Sequence, residues 1–394
     1  MNATFTIFVL ATALPVIGRF MQRTAIGWYV WETTQSPSWL GAVAFVELLP
    51  TVALGPFSGY LADRFSRQRV IVASQLLALL VSAALALLAV QGPISPPAIL
   101  ALSLALGTSF AAFLPARSAF VRNIVGLGDL AKAVSIISVV GNVAVAVGPL
   151  LAGGIIAAWS IDIVFVASAM ATIPALLTIP WLRVVNEDKR LTGQNVLKDT
   201  RSGLRYAATH PTIGTMLAAL AIASLGGRAA LDLLPGFAAS VLQSGPIGLA
   251  WLVSASGVGA ILGGFWVGQR GLRLNLEAVV ILNLLLTGIG LLVFSLGLTY
   301  ALSLICILAV GISLGVNSVG CQTVIQIAAE GSYSGRVLGL YGMLHRGAAG
   351  LGSLIMGCTS SFLGLQASVA IGALFCALSW VLLRRRRKLA DLAA

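Results

Sequence analysis

Seven charged side chains stand inside long apolar stretches of this 394-residue chain: Arg19, Arg23, Glu47, Arg117, Arg228, Asp232 and Arg346. Insertion scales put an ionised group near the centre of a bilayer-spanning helix at roughly 2.5 to 3.5 kcal/mol, so seven turned toward lipid would cost about 15 to 25 kcal/mol. They must face a wet cavity or one another. Arg19 and Arg23 are one helical turn apart with Gln22 beside them, and Arg228 and Asp232 repeat that spacing. Five arginines face two acids in this set, an excess of fixed positive charge whose planar forks suit an anionic or electron-rich group on a small molecule. Glu47 and Asp232 are the acids a proton can use, and His345 beside Arg346 adds a titratable imidazole. The expected substrate-binding set is therefore Arg19, Gln22, Arg23, Arg228, Asp232 and Arg346, and the expected proton-coupling set is Glu47, Asp232 and His345. No metal spacing, nucleophile elbow or phosphate loop occurs, so neither an enzyme nor an ATP-driven pump is expected, and no cofactor or metal.

The elements that must hold these groups are read from composition. With 58% hydrophobic residues, 9% charged and a mean hydropathy of +1.00, the chain carries more apolar surface than a soluble protein can bury, and is a polytopic membrane protein. Apolar runs long enough to cross a bilayer fall at 5–31, 39–62, 70–91, 97–121, 131–158 and 162–182, and again at 213–240, 247–269, 276–297, 299–327, 336–360 and 365–383. These predict twelve helices, numbered 1 to 12, in an all-α integral membrane fold. The one long polar interval, 184–212, divides them into bundles of six, giving an N-terminal domain 1–183, a linker 184–212 and a C-terminal domain 213–394 with a basic tail. The net charge of +12 does not point to nucleic acid, because 19 of the 24 Lys and Arg residues lie in alternate loops and the tail. That bias predicts both termini on the cytoplasmic side, with the bilayer itself as a partner. The first segment has no basic start and is expected to be a retained helix. Trp31, Trp39 and Trp159 are expected at the outer interface, and the four cysteines are expected to be packing residues rather than a disulfide frame.

The two halves repeat. An offset of 209 sets Gly18-Arg19 on Gly227-Arg228, and an offset of 204 sets Lys132 on Arg336, Gly148 on Gly352 and Gly153 on Gly357. Two bundles of the same orientation imply a pseudo-twofold axis along the membrane normal, with a substrate site near the midplane at the interface of the repeats. By the same repeat Arg23 is set opposite Asp232, with Glu47 as the rival partner for Arg23.

The turn after predicted helix 2, Gly59-Tyr60-Leu61-Ala62-Asp63-Arg64-Phe65-Ser66-Arg67-Gln68-Arg69, is unusual for a short connection. Asp63 closes its own helix, where the macrodipole makes an acid unfavourable, so it should be satisfied from elsewhere. Arg122 at the end of helix 4 and the start of helix 11 near Arg336 are the expected partners. Gly59, Asp63, Arg64, Arg67, Arg122 and Arg336 together form the expected conformational latch.

This turn resembles the loop between helices 2 and 3 of the major facilitator superfamily, departing from its pattern at Ser66 and Gln68. Pro115-Ala116-Arg117, Gly148-Pro149 with Gly153-Gly154, Gly203-Leu204-Arg205-Tyr206 before Pro211, and Arg23 with Ala25, Trp28, Ser36-Pro37 and Gly41 resemble the branch that holds the enterobactin exporter and drug-efflux proteins. The glycines of helix 5, from Gly141 to Gly154, also resemble an antiporter motif, although ordinary close packing explains them equally. The resemblance implies a monomeric, proton-coupled exporter of a small amphipathic or anionic molecule in a bacterial inner membrane. The alternatives are an importer or lipid flippase of the same fold and, in another class, a membrane scaffold or sensor. Of the two acids, Glu47 is expected to carry the coupling proton, because the cations about Asp232 are the more certain.

Overall fold

A computed structural model describes residues 3–54, 66–126, 128–182, 196–330 and 333–393, and every regular element among them is helical. The long helices are α1 Ala3–Thr34, α2 Pro37–Leu54, α3 Arg67–Gln91, α4 Pro96–Val125, α5 Leu130–Ala158 and α6 Ile161–Trp181. They continue as α7 Pro211–Val241, α8 Gly245–Arg270, α9 Leu276–Ser295, α10 Tyr300–Ala328, α11 Ser334–Leu363 and α12 Leu365–Ala393. Eleven of these are long and apolar enough to cross a membrane. The twelfth, α11, is diluted by His345, Arg346 and a run of glycines and serines, yet forms one unbroken helix. Helix starts follow local chemistry: Thr299 accepts from the N–H of Leu302 and Asn275 from that of Ala278, each satisfying a donor that the first helical turn leaves open.

The chain forms two compact units, Met1–Thr33 with Val46–Val196, and Thr34–Phe45 with Leu197–Ala394. Residues 34–45, expected in the N-terminal domain, thus cluster with the second unit, and α2 changes allegiance between Phe45 and Val46. In the first unit Phe5, Phe8, Ile71, Phe113 and Phe120 form the buried core. In the second, Ile213, Met216, Val280, Leu284 and Ile325 do so. The linker interval holds a helix, Val196–Thr209, whose Tyr206 stacks on Tyr333 at 4.4 Å. Trp31 is buried, while Trp159 is 71% exposed. Cys306, Cys321 and Cys376 are buried and free, as packing residues would be, and Cys358 is exposed.

The units repeat in their packing. A Cβ on Gly148 of α5 would meet Phe20 Cβ of α1 at 2.7 Å, and one on Gly352 of α11 would meet the Leu225 carbonyl oxygen of α7 at 2.3 Å, so each glycine lets its helix close on the first helix of its own half. A second pair, absent from the sequence reading, obeys the same offsets. A Cβ on Gly107 would lie 2.2 Å from the Glu47 carbonyl oxygen, and one on Gly311 would lie 2.3 Å from that of Ser256. Ser256 therefore stands in the second half where Glu47 stands in the first.

The match of Gly18 with Gly227 slips by one residue. Gly18 faces Ala171 and Ser168 of α6, but it is Gly226 that faces Cys376 and Gly372 of α12, while Gly227 faces Thr287 and Leu314. The reason is a π-helical segment, Ala223–Arg228, which adds a residue to the turn. Further on, Asp232 and Leu233 donate to the carbonyls three residues back, at 3.1 and 3.2 Å. Pro235, lacking an N–H and crowding the carbonyl of Leu231, prevents a regular α-helix there. Arg228 and Asp232 consequently do not share one regular α-turn.

Candidate functional site

In the first unit α1 presents Arg19, Gln22 and Arg23 to its neighbours. Arg19 Nη2 donates to Glu47 Oε1 at 2.8 Å, and Arg23 Nε lies 3.6 Å from Glu47 Oε2. The acid is thus held by two guanidinium groups, more cations than its place in the sequence made certain. The cause is helix contact: Gly107 lets α4 press on the backbone of α2 at Glu47, and α4 also brings Phe110 beneath Arg19, whose guanidinium carbon is 3.7 Å from the ring centroid. A cation over an aromatic face in a desolvated setting gains about 2 kcal/mol. Gln22 is buried, and its Oε1 accepts from Ser82 Oγ at 3.0 Å. Arg117, two turns beyond Phe110, lies 5.3 Å from the Phe113 ring.

In the second unit Asp232 Oδ2 accepts from Ser353 Oγ at 2.7 Å. Sequence reasoning missed Ser353, although its neighbour Gly352 was marked by the repeat. His345 stacks on Tyr341 with ring centroids 5.9 Å apart and planes 5° from parallel. Tyr341 Oη is 2.8 Å from Ser318 Oγ, and the charges of Arg228 and Arg346 both reach Tyr341 and His345. This unit therefore sets Arg228 and Arg346 near the Tyr341–His345 pair, with Asp232 bonded to α11. The arrangement can hold an electron-rich group while presenting a flat ring beside it.

Of the expected latch, Gly59, Asp63 and Arg64 lie outside the described residues. Arg67 opens α3, and Arg122 lies in the last turn of α4, where a cation complements the helix dipole. Arg336 donates to Ser202 Oγ at 3.2 Å and lies 5.5 Å from the Tyr333 ring, so it is engaged by the linker helix and its own helix start. Among the described residues no cluster of His, Cys, Asp or Glu is fit to hold a metal.

The chain resembles known transporters along its whole length. It is 26% identical over 390 residues to the multidrug efflux pump Tap of Mycolicibacterium fortuitum, covering 96% of this chain and 94% of that protein. It is 27% identical over 175 residues, 44% of each protein, to the staphyloferrin A transporter of Staphylococcus aureus. Its fold matches the crystal structure of a bacterial homologue of the human lysosomal transporter Spinster with a TM-score of 0.77 at 15% identity, over 98% of both chains. The sequence profile of the transmembrane secretion effectors matches residues 1–393, and the chain belongs to that family of major facilitator superfamily transporters, a multi-pass membrane protein rather than an enzyme.

Proposed function

We propose that this protein is a proton-driven exporter of a small amphipathic or anionic organic molecule, a drug or siderophore, working by alternating rocking of its two six-helix halves. The reading places it in a bacterial inner membrane with both termini cytoplasmic, in keeping with the bias of Lys and Arg toward alternate loops. The single observation that carries it is the acid held by two arginines: Glu47 binds Arg19 and Arg23, and the position that corresponds to it in the other half is Ser256. A merely structural ion pair has no need of two cations per acid. Protonation of Glu47 releases both guanidinium groups and so remodels the site; in an exporter the proton taken up from the outer side and the substrate taken up from the inner side occupy it by turns, the proton leaving inward before substrate binds again.

The named relatives supply the substrate class: one is called a multidrug efflux pump and one a transporter of a siderophore, and neither name fixes the molecule carried here. Everted membrane vesicles energised with a pH gradient, tested with macrolides, fluorescent amphipathic dyes and carboxylate siderophores, decide the matter. Accumulation of one class inside the everted vesicles, collapsed by a protonophore, is expected. Accumulation in right-side-out vesicles under an inward proton gradient would make it an importer instead.

A further inference from the structure

Behind Arg19, within the first unit, lies a cavity of about 40 Å³ between α1, α3, α4 and α6, bordered by Gln22, Gln75, Ser82, Ser109, Ser168 and Thr172 beside Arg19 and Phe110. The hydroxyls have already spent their protons. Ser109 donates to the Ser74 carbonyl at 2.7 Å, Ser168 to that of Gly18 at 3.0 Å and Thr172 to that of Ala169 at 2.7 Å, while Ser82 donates to Gln22 Oε1 at 3.0 Å. What these hydroxyls turn toward the cavity is lone pairs. Gln22, only 4% exposed, has an amide nitrogen with no hydrogen-bond partner among the described residues. Turning the amide over would leave its oxygen unpartnered instead. An unmet buried donor costs about 1 to 3 kcal/mol, which a helix in an apolar setting has no reason to carry.

The ligand must accept from Gln22 and Arg19 and donate to hydroxyl oxygens. An anion would suit Arg19 and the Gln22 amide but not the lone pairs of four hydroxyls beside them. Water meets both demands, and since one molecule needs roughly 10–15 Å³ on this measure, about three or four fit.

We propose that this pocket is an internal water site, and that its water, together with the Phe110 ring, holds the Arg19 guanidinium when Glu47 is neutral. The second half of the proposal rests on Glu47 being the proton site. Without such a reservoir, protonating Glu47 strands a desolvated cation, and the protonated state becomes too costly to populate. With it, Arg19 exchanges a carboxylate for water and an aromatic face. The charges that bear on Arg19 are those of Glu47 and Arg23.

The test uses the purified full-length protein and needs no substrate. Gln75→Leu with Thr172→Val removes two of the polar groups that border the pocket without touching Arg19 or Glu47, and Glu47→Gln mimics the protonated acid. The expected result is a non-additive thermal unfolding midpoint: the pocket changes lower it at least twice as many degrees in the Glu47→Gln protein as in the parent. Equal falls in the two backgrounds overturn the proposal. Should the combined variant fail to fold, hydroxyl-radical footprinting of the unaltered protein reads the water directly. Oxidation of the buried Phe113 at least threefold faster than of the equally buried core residues Phe120 and Phe165 is expected, and equal rates overturn the proposal. Neither readout measures transport, so an error about the coupling acid shows in vesicles and leaves this result standing.

Discussion

At the scale of single residues, the charges were legible in the sequence and their partners only in part, Glu47 standing as one of two candidates for Arg23 but not as the partner of Arg19. A charge inside an apolar run announces itself because lipid cannot accept it. Which neighbouring helix meets it depends on rotation and register, and for Glu47 the answer was two arginines of α1 at once, 2.8 and 3.6 Å away. Spacing along one helix carries no such information. The same limit applies to Asp232, whose bond to Ser353 crosses to another helix, and to Arg19, whose stacking on Phe110 depends on how α4 lies. A direct consequence is that lysine cannot replace arginine at position 19. Arg19→Lys keeps the charge but loses the fork that reaches Glu47 and the flat face over Phe110, so substrate affinity should fall about tenfold, near 1.4 kcal/mol, in equilibrium binding with protein abundance unchanged. Arg228→Lys should weaken binding comparably. Normal binding by both would make the two arginines structural. Asp232→Asn, which weakens the acceptor for Ser353, should raise the dissociation constant about as much, measured the same way.

At the scale of elements, the predicted spans fell on the observed helices, because a run of about 20 apolar residues has little choice but to cross. Even α11, expected from the run 336–360, forms as one helix despite its polarity. The interruption of α7 was not foreseen: Pro235 is visible, but a π-segment at Ala223–Arg228 depends on how Gly226 and Gly227 fit against α12 and α9, which no local pattern states. Glycine shows the same mixture. Gly107 and Gly311 are matched at the 204-residue offset, yet in so glycine-rich a chain they stand out only once their contacts are known. Gly107→Ala should force α4 away from the backbone of α2 at Glu47, costing about 1 to 3 kcal/mol and lowering the unfolding midpoint by several degrees. Among the described residues nothing lies within 4 Å of a Cβ built on Gly141, so Gly141→Ala should leave that midpoint unchanged. If the two alanine variants unfold alike, the close approach at Gly107 is not what sets Glu47.

At the scale of the molecule, the halves and their repeat could be read from the polar interval and from matched glycines, whereas the passage of residues 34–45 to the second unit could not, since sequence does not say which surface covers a helix end. The expected latch belongs to this scale. Asp63 lies outside the described residues, and its role is a proposal from the dipole argument: Asp63→Asn should cut transport severalfold while membrane insertion, read by a fluorescent C-terminal fusion, stays normal. The account turns, however, on how a proton is tied to the substrate. In proteoliposomes carrying only an imposed pH difference, Glu47→Gln should abolish uphill accumulation of the substrate found in vesicles while retaining its binding and its downhill exchange. A Glu47→Gln protein that still concentrates substrate under that gradient would contradict the account and transfer the proton to Asp232 or His345.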